Sequence, residues 1–176
     1  MTAREFKFYH ADRLGTLSES MQVSEQGELS RFGLFYTPAF NIPNPIDNLE
    51  GAARREYLLE VIRQQKFPNQ PSRLSCMFGA NSILEAECFA KSIVPTPKGS
   101  VRIFEIYASS FVTLDSTWLD YRMDDMPTKI NYYEQYWWAG ISNSAPTVGE
   151  RKPPTLEVLM RLPVRTGNIV SVVDLI

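Results

Sequence analysis

The sequence predicts an α+β fold, and three observations support this prediction. Residues 5–11 alternate between apolar and polar side chains, which is typical of a half-buried strand. Residues 49–66 repeat apolar side chains at helical spacing, and residues 100–114 are rich in β-branched and aromatic side chains. The order strand, helix, strand, helix, then mostly strands favours α+β over a regular βαβ series. Because 176 residues suffice for one core but hardly for two, residues 1–176 are expected to form a single domain.

The first third of the chain is predicted to begin with strand 5–11, which places His10 on its apolar face. Residues 29–36, LSRFGLFY, predict a second short strand. The segment 37–48 is expected to be a loop, because it contains three prolines within eight residues.

Three helices are predicted. The first covers residues 49–66, with Asp47 or Asn48 as its N-cap and a proline just beyond its end. The second covers residues 82–92 and opens with the Ser-x-x-Glu capping box. The third covers residues 128–139 and ends at a glycine.

The remaining strands follow from apolar runs. An extended connector leads into a short strand that ends at Phe78, and residues 100–114 predict one long strand with a kink at its two serines. Residues 156–164 and 168–176 predict two closing strands, after a loop at 141–155.

Composition limits the possible partners and location of the protein. The net charge is −2, from 18 basic and 20 acidic residues, which gives no overall argument for binding nucleic acid or membrane. The chain has one histidine, and Cys76 and Cys88 do not form a CxxC pair, so we expect no metal site. A disulfide between the two cysteines is the alternative to two free thiols, and we expect free thiols, as in a reducing compartment. No signal peptide or apolar run of about 18 residues is present, which predicts a soluble, cytoplasmic protein.

Common nucleotide and hydrolase motifs are absent from the sequence. No GxGxxG or GxxxxGK[ST] phosphate loop is present, and no GxSxG nucleophile elbow. The chemistry therefore has to be sought in isolated polar residues on apolar segments.

His10, Ser75 and Glu157 are such residues, and each also has a purely structural interpretation. A lone histidine on an apolar face is more often a hydrogen-bonded core residue, and a serine within a strand is usually a filler. Glu157 could equally lie on a solvated strand face. The aromatic run YYEQYWW, which contains Trp137, could stack on a base or a nicotinamide ring. Aromatic residues at helical spacing, however, more often pack in the hydrophobic core.

Three segments follow one another along the chain: FYHADR, CMFGANSILEAECFA and LEVLMRLPV. Together they resemble the three motifs of ADP-ribosyltransferases of the diphtheria-toxin and poly-ADP-ribose-polymerase type. Those motifs are a strand carrying a histidine, a strand end that turns into a helix, and a late strand carrying a glutamate. The chain also resembles a group of small bacterial and phage domains of unknown function. The matching residues are Tyr9-His10 with Arg13, Phe67-Pro68 with Pro71-Ser72-Arg73, Trp137-Trp138 with Gly140, and Glu157-Val158-Leu159.

The resemblance implies a split β-sheet fold, with two packed, mostly antiparallel sheets and about three flanking helices. It implies a single-domain, NAD-dependent mono-ADP-ribosyltransferase, with NAD as co-substrate and an unidentified protein or nucleic acid as acceptor. No metal or membrane is implied. A role as a bacterial or phage toxin or effector, delivered to or made in a host cell, would suit such a small transferase.

The resemblance also implies roles for individual residues. Glu157 would stabilise the positive charge that develops on the ribose, and His10 would hold a ribose. The pyrophosphate would be neutralised by Arg13, with Arg73 as a second candidate. Ser75 would orient the sugar or the carboxylate.

Two aromatic residues complete the implied pocket: Phe78 would stack on nicotinamide, and Trp137 would close the other side. The chain departs from the motifs at Ala11, where glycine is common, and at Met77 or Phe78, where tyrosine is expected. Thr155 replaces an acidic residue of the arginine-specific toxins, which argues against arginine as acceptor. An NAD glycohydrolase and a catalytically inactive binding module remain the alternatives.

Overall fold

A computed structural model describes residues 4–92, 95–121, 123, 125–142 and 154–175. Seven strands and five α-helices lie in these ranges, with three short 3₁₀ turns at Thr37–Phe40, Arg73–Ser75 and Ser116–Leu119. The strands are β1 (Phe6–Asp12), β2 (Gln22–Val23), β3 (Cys76–Gly79), β4 (Gly99–Ala108), β5 (Phe111–Asp115), β6 (Leu156–Arg161) and β7 (Val164–Leu175). The helices are α1 (Arg31–Tyr36), α2 (Pro45–Asn48), α3 (Gly51–Lys66), α4 (Ile83–Ser92) and α5 (Met126–Trp137).

The strands form two antiparallel sheets. The larger has the order β1-β4-β7-β2 and the smaller has the order β3-β6-β5. The predicted α+β class with two antiparallel sheets is therefore confirmed. The number of helices differs, because two short helices form in segments that were predicted to be a strand and a loop.

Within the described parts of the chain, the two sheets are joined by a single β-bridge. Tyr9 on β1 and Ala80, just after β3, exchange backbone hydrogen bonds of 3.0 and 2.8 Å. On either side of this bridge β1 and β3 pair with other strands, so the sheets diverge. The space between them is filled by side chains of both sheets, among them Phe8, Met77, Phe104, Val158 and Met160.

Helices cover the other face of each sheet. Helices α3 and α5 pack on the smaller sheet, where Leu59, Trp137 and Leu159 belong to one cluster. Helix α4 packs on the larger sheet through Ala86 and Ala90, whose small side chains allow close contact with the strands. The result is a layered arrangement of helices, sheet, sheet and helix around three apolar clusters.

The prediction of a strand at 29–36 is wrong, because the segment forms α1. The Ser30 side chain caps this helix by accepting from the Gly33 amide at 3.3 Å. Gly33 also lies so close to the backbone of Leu74 that a Cβ would come within 2.0 Å of its carbonyl oxygen. The aromatic side chains that suggested a strand instead belong to a short helix, which packs against the 3₁₀ turn at Arg73–Ser75.

The predicted helices are confirmed with shifted ends. Helix α3 begins after Glu50, because Asp47 and Asn48, the expected caps, belong to α2. The capping box of α4 is present, with Ser82 Oγ accepting from the Glu85 amide at 3.2 Å and Glu85 accepting in return from the Ser82 amide at 3.1 Å. Helix α5 covers Met126–Trp137 and is capped by Asp125.

The predicted long strand at 100–114 is two strands in different sheets. It breaks at Ser109–Ser110, so β4 enters the larger sheet and β5 the smaller. The closing strands are confirmed as β6 and β7, although β7 begins at Val164 rather than 168. Most of the expected loop at 141–155 lies outside the described residues.

Candidate functional site

A buried arginine joins the helical layer to the smaller sheet. Arg73 is only 6% exposed and lies in the 3₁₀ turn that leads into β3. Its Nε and Nη2 donate to the two carboxylate oxygens of Glu56 on α3, at 2.8 and 3.3 Å. Its Nη1 donates to Glu157 Oε1 on β6 and to the Tyr136 hydroxyl on α5, the latter at 2.6 Å. Arg73 therefore connects four separate elements of the fold.

Tyr136 completes this network. Its hydroxyl accepts from Arg73 and donates to Glu157 Oε1 at 2.6 Å. Burial raises the pKa of Tyr136 well above its ordinary value, so the phenol stays a donor. Burial alone would lower the pKa of Arg73, but the carboxylates of Glu157 and Glu56 raise it above its ordinary value. The network therefore consists of one guanidinium, two carboxyl groups and one phenol.

Aromatic rings enclose the guanidinium. The Arg73 Cζ lies 4.8 Å from the ring centroid of Phe78, 5.4 Å from that of Tyr136 and 5.8 Å from that of Phe32. Phe32 on α1 also packs against Phe78, with ring centroids 4.7 Å apart. Helix α1 thus covers part of Phe78, the residue predicted to stack on nicotinamide.

The local sequence holds Arg73 in place. Ser72 caps the 3₁₀ turn by accepting from the Leu74 amide at 3.2 Å, and its hydroxyl donates to Glu60 on α3 at 2.8 Å. On the other side of the turn, Ser30 donates through its hydroxyl to the Leu74 carbonyl at 3.0 Å. The turn is therefore fixed from both sides, which limits the positions available to the guanidinium.

His10 is held at the point where the two sheets diverge. Its Nδ1 donates to the backbone carbonyl of Phe78 at 2.6 Å, because a carbonyl oxygen can only accept. Burial lowers the pKa of His10, which favours the neutral ring. A neutral ring that carries its proton on Nδ1 has a lone pair on Nε2, which can accept a hydrogen bond.

His10 and Glu157 flank the same end of β3. The last registered pair of β3 and β6 is Gly79 with Val158, so Ala80 lies opposite Glu157 one residue further on. Ala80 also pairs with Tyr9, the neighbour of His10. The two side chains leave the sheets on different faces. Glu157 points, like Leu159, towards α3 and α5, whereas His10 shares its strand face with Phe8, between the sheets.

A family model described as "Protein of unknown function (DUF2441)" matches residues 40–150, which is more than half of the chain. The chain belongs to the DUF2441 family. No curated protein matches it. The matched range contains three members of the network, Glu56, Arg73 and Tyr136, whereas His10 and Glu157 lie outside it.

Two other predicted site residues of this DUF2441 protein, Arg13 and Ser75, lie apart from the network. Arg13 is exposed and donates to the carbonyl of Pro95 at 3.2 Å. Ser75 lies in the 3₁₀ turn and not on a strand, and its hydroxyl donates to the Ser72 carbonyl at 3.1 Å. The expected placement of Ser75 within a strand is therefore wrong.

Trp137 belongs to the core. It is fully buried, and its indole nitrogen donates to the Leu59 carbonyl at 3.0 Å. The expectation that it closes a ligand pocket is therefore replaced by the alternative interpretation as core. Arg73, the second candidate for the pyrophosphate, is already paired with two carboxylates, so its charge is balanced within the protein.

The expected free thiols are confirmed: Cys76 is buried, Cys88 is exposed, and neither is in a disulfide. Among the described residues, no group of three or more potential ligands is placed to hold a metal ion. Within the same part of the chain, no helix is both long and apolar enough to cross a membrane.

Glu56, Tyr136 and Phe32 were not among the predicted site residues. A signal existed for Glu56, because it lies three residues from both Ala53 and Leu59 and so on the apolar face of α3. A charge at such a position needs a buried partner. Nothing in the sequence indicated that this partner would be Arg73.

Proposed function

We propose that the protein is an NAD-dependent mono-ADP-ribosyltransferase. The proposed reaction breaks the bond between nicotinamide and C1′ of the ribose, and joins C1′ to a nucleophile of a protein or nucleic acid. One observation carries the proposal: His10 and Glu157 flank the same end of β3, where the two antiparallel sheets separate. A ligand in contact with both residues would span that end.

Glu157 is proposed to stabilise the positive charge that develops on the ribose as nicotinamide leaves, as carboxylates do in glycoside cleavage. Both of its hydrogen bonds, from Arg73 and Tyr136, go to Oε1. Among the described residues, Oε2 has no hydrogen-bond donor, which leaves it available to a ribose hydroxyl. The side chain is 10% exposed, so contact with a ligand needs only a small opening.

Arg73 acts in this proposal as a positioning residue and not as a phosphate ligand. Its guanidinium fixes the carboxylate of Glu157 from one side, while Glu56 fixes the guanidinium from the other. Preorganised groups of this kind need no rearrangement when charge develops in the transition state.

His10 is proposed to hold a ribose through Nε2. Because Nδ1 donates to the Phe78 carbonyl, the neutral ring can accept from a ribose hydroxyl at Nε2. Phe78 is proposed to contact the nicotinamide on the part of its ring that Phe32 and Arg73 leave uncovered. Arg13, exposed near the end of β1, remains the candidate for the pyrophosphate.

The acceptor of ADP-ribose and the cellular location of the protein are also proposals. A protein or nucleic-acid acceptor, met in the cytoplasm of the producing cell or of a host, would suit a small single-domain transferase. Water as the acceptor would make the same site an NAD glycohydrolase.

The decisive experiment follows nicotinamide release from NAD by chromatography, with radiolabelled NAD and a cell lysate to detect transfer. Glu157→Gln is expected to slow release by about 10²- to 10³-fold, the usual effect of losing one transition-state contact. Glu105→Gln is the matched control, since Glu105 on β4 is also ion-paired, with Lys7, and its side chain is 12% exposed. This control is expected to retain activity.

The possible outcomes separate the alternatives. Label bound to a macromolecule supports transfer, whereas free ADP-ribose as the only labelled product supports the glycohydrolase. Full activity in Glu157→Gln would refute the role of this residue. Absence of NAD binding at millimolar concentration would refute the proposal as a whole and favour a catalytically inactive binding module.

A further inference from the structure

A cleft of about 250 Å³ opens between the first turn of α3 and helix α5, apart from the candidate site. Three basic side chains line it: Arg54 and Arg55 from α3, and Lys129 from α5. Among the described residues that line it, Glu50 is the one acidic residue, and Tyr133 contributes an aromatic ring. The cleft is therefore locally positive on a chain whose net charge is −2.

The hydrogen-bond donors of these three basic side chains are only partly paired among the described residues. Arg55 donates through Nε to Glu56 at 3.1 Å and is thereby partly neutralised. The side chains of Arg54 and Lys129 have no hydrogen bond or ion pair among the described residues, and Arg54 Nε is shielded from solvent without a partner. A buried donor without an acceptor is costly in a folded protein, so an acceptor in the cleft would remove this cost.

We propose that this cleft binds a phosphate group of a small molecule. Arginine and lysine that converge from two helices match the charge and the several acceptor oxygens of phosphate. The cleft is smaller than the roughly 300–1,000 Å³ of sites for drug-sized ligands, which suits one or two phosphate groups. A nucleic-acid backbone would instead require a basic stripe along the surface.

The cleft and the proposed transferase site are joined through one described chain of contacts. Arg55 donates to Glu56, and Glu56 accepts from Arg73, which pairs with Glu157. Phosphate binding does not require NAD turnover, so the two proposals can fail separately.

The test is calorimetric titration of the full chain with orthophosphate and, separately, with pyrophosphate, at constant ionic strength. Saturable binding of one ligand per chain is expected. Arg54→Met and Lys129→Met are each expected to weaken it by about tenfold or more, since each removes a charge-assisted contact. Glu50→Gln is expected to strengthen binding, because it removes a like charge from the rim.

Lys91→Met is the control, because Lys91 is an exposed lysine in the last turn of α4 and does not line the cleft. Its affinity is expected to equal that of the unmodified protein. Tighter binding of pyrophosphate than of orthophosphate would assign a diphosphate, and the reverse order a single phosphate. Failure to saturate, or equal affinity in the Lys129→Met, Glu50→Gln and Lys91→Met proteins, would overturn the proposal.

Discussion

Arg73 and Glu157 form a buried ion pair across 84 residues of sequence, and the pair joins the turn before β3 to β6. Moving either charge out of water costs several kcal/mol, which only good geometry and further hydrogen bonds can offset. Here Glu56 and Tyr136 supply those bonds to the same guanidinium. The position of Glu157, the central residue of the proposed function, therefore depends on Arg73.

Arg73→Met is expected to lower the free energy of unfolding by about 3–5 kcal/mol, because it leaves the buried carboxylate of Glu157 without a counter-ion and leaves Glu56 paired only with the partly exposed Arg55. Denaturant unfolding followed by circular dichroism measures the change. Arg165→Met is the control, since its ion pair with Glu5 is about half exposed and such pairs contribute at most about 1 kcal/mol. Equal losses in the two variants would show that the buried pair has no special role.

Tyr136→Phe is expected to cost about 1–3 kcal/mol of unfolding free energy, because Arg73 and Glu157 each lose a buried hydrogen-bond partner. Tyr132→Phe on the same helix is the matched control. Tyr132 is also buried, but its hydroxyl has no hydrogen bond among the described residues. A loss for Tyr136→Phe no greater than that of the control would contradict the hydrogen bonds assigned to this phenol.

The strands and longer helices could be predicted because their side-chain periodicity is local. Residues 51–66 and 6–12 carry their helix and strand patterns within the segment itself. Helix α1 could not be predicted in this way, because its aromatic side chains suit a strand equally well. What decides its structure is the close contact between Gly33 and the backbone of Leu74, which lies far along the chain.

The candidate site was predictable only in part, for the same reason. His10 and Glu157 stood out as polar residues on apolar segments, whereas Arg73 was named only through the family resemblance, as a second candidate for the pyrophosphate. The sequence did not indicate that Arg73 would pair with Glu157, since ion pairs between distant segments leave no local pattern. Trp137 shows the opposite case, where helical spacing correctly favoured the core over a ligand pocket.

The two thiols are expected to differ in reactivity. Burial raises the pKa of Cys76 to about 11, so it is mostly protonated and shielded near neutral pH, whereas Cys88 is exposed. Titration of the folded protein with a disulfide reagent such as DTNB should modify one thiol rapidly, and denaturant should release the second. Cys88→Ser should abolish the rapid phase. A rapid phase that persists in this variant would place Cys76 at the surface.

His10 is expected to make folding stability depend on pH near neutrality. Burial holds its pKa in the folded state below the ordinary value of 6.5, so the unfolded chain takes up a proton at higher pH than the folded one. The free energy of unfolding should therefore be highest above pH 6.5 and should fall as the pH drops from 6.5 towards the lower, folded-state pKa. His10 is the only histidine, so few other groups titrate in this window.

Denaturant titrations at a series of pH values between about 5.5 and about 7.5 measure this dependence. His10→Asn is the informative variant, because its amide can still donate to the Phe78 carbonyl but does not titrate. The variant should lose the slope, while its stability at the acidic end should approach that of the unmodified protein. A slope that persists in His10→Asn would assign the titration to another group, and a stability that rises as the pH falls would reverse the inferred shift.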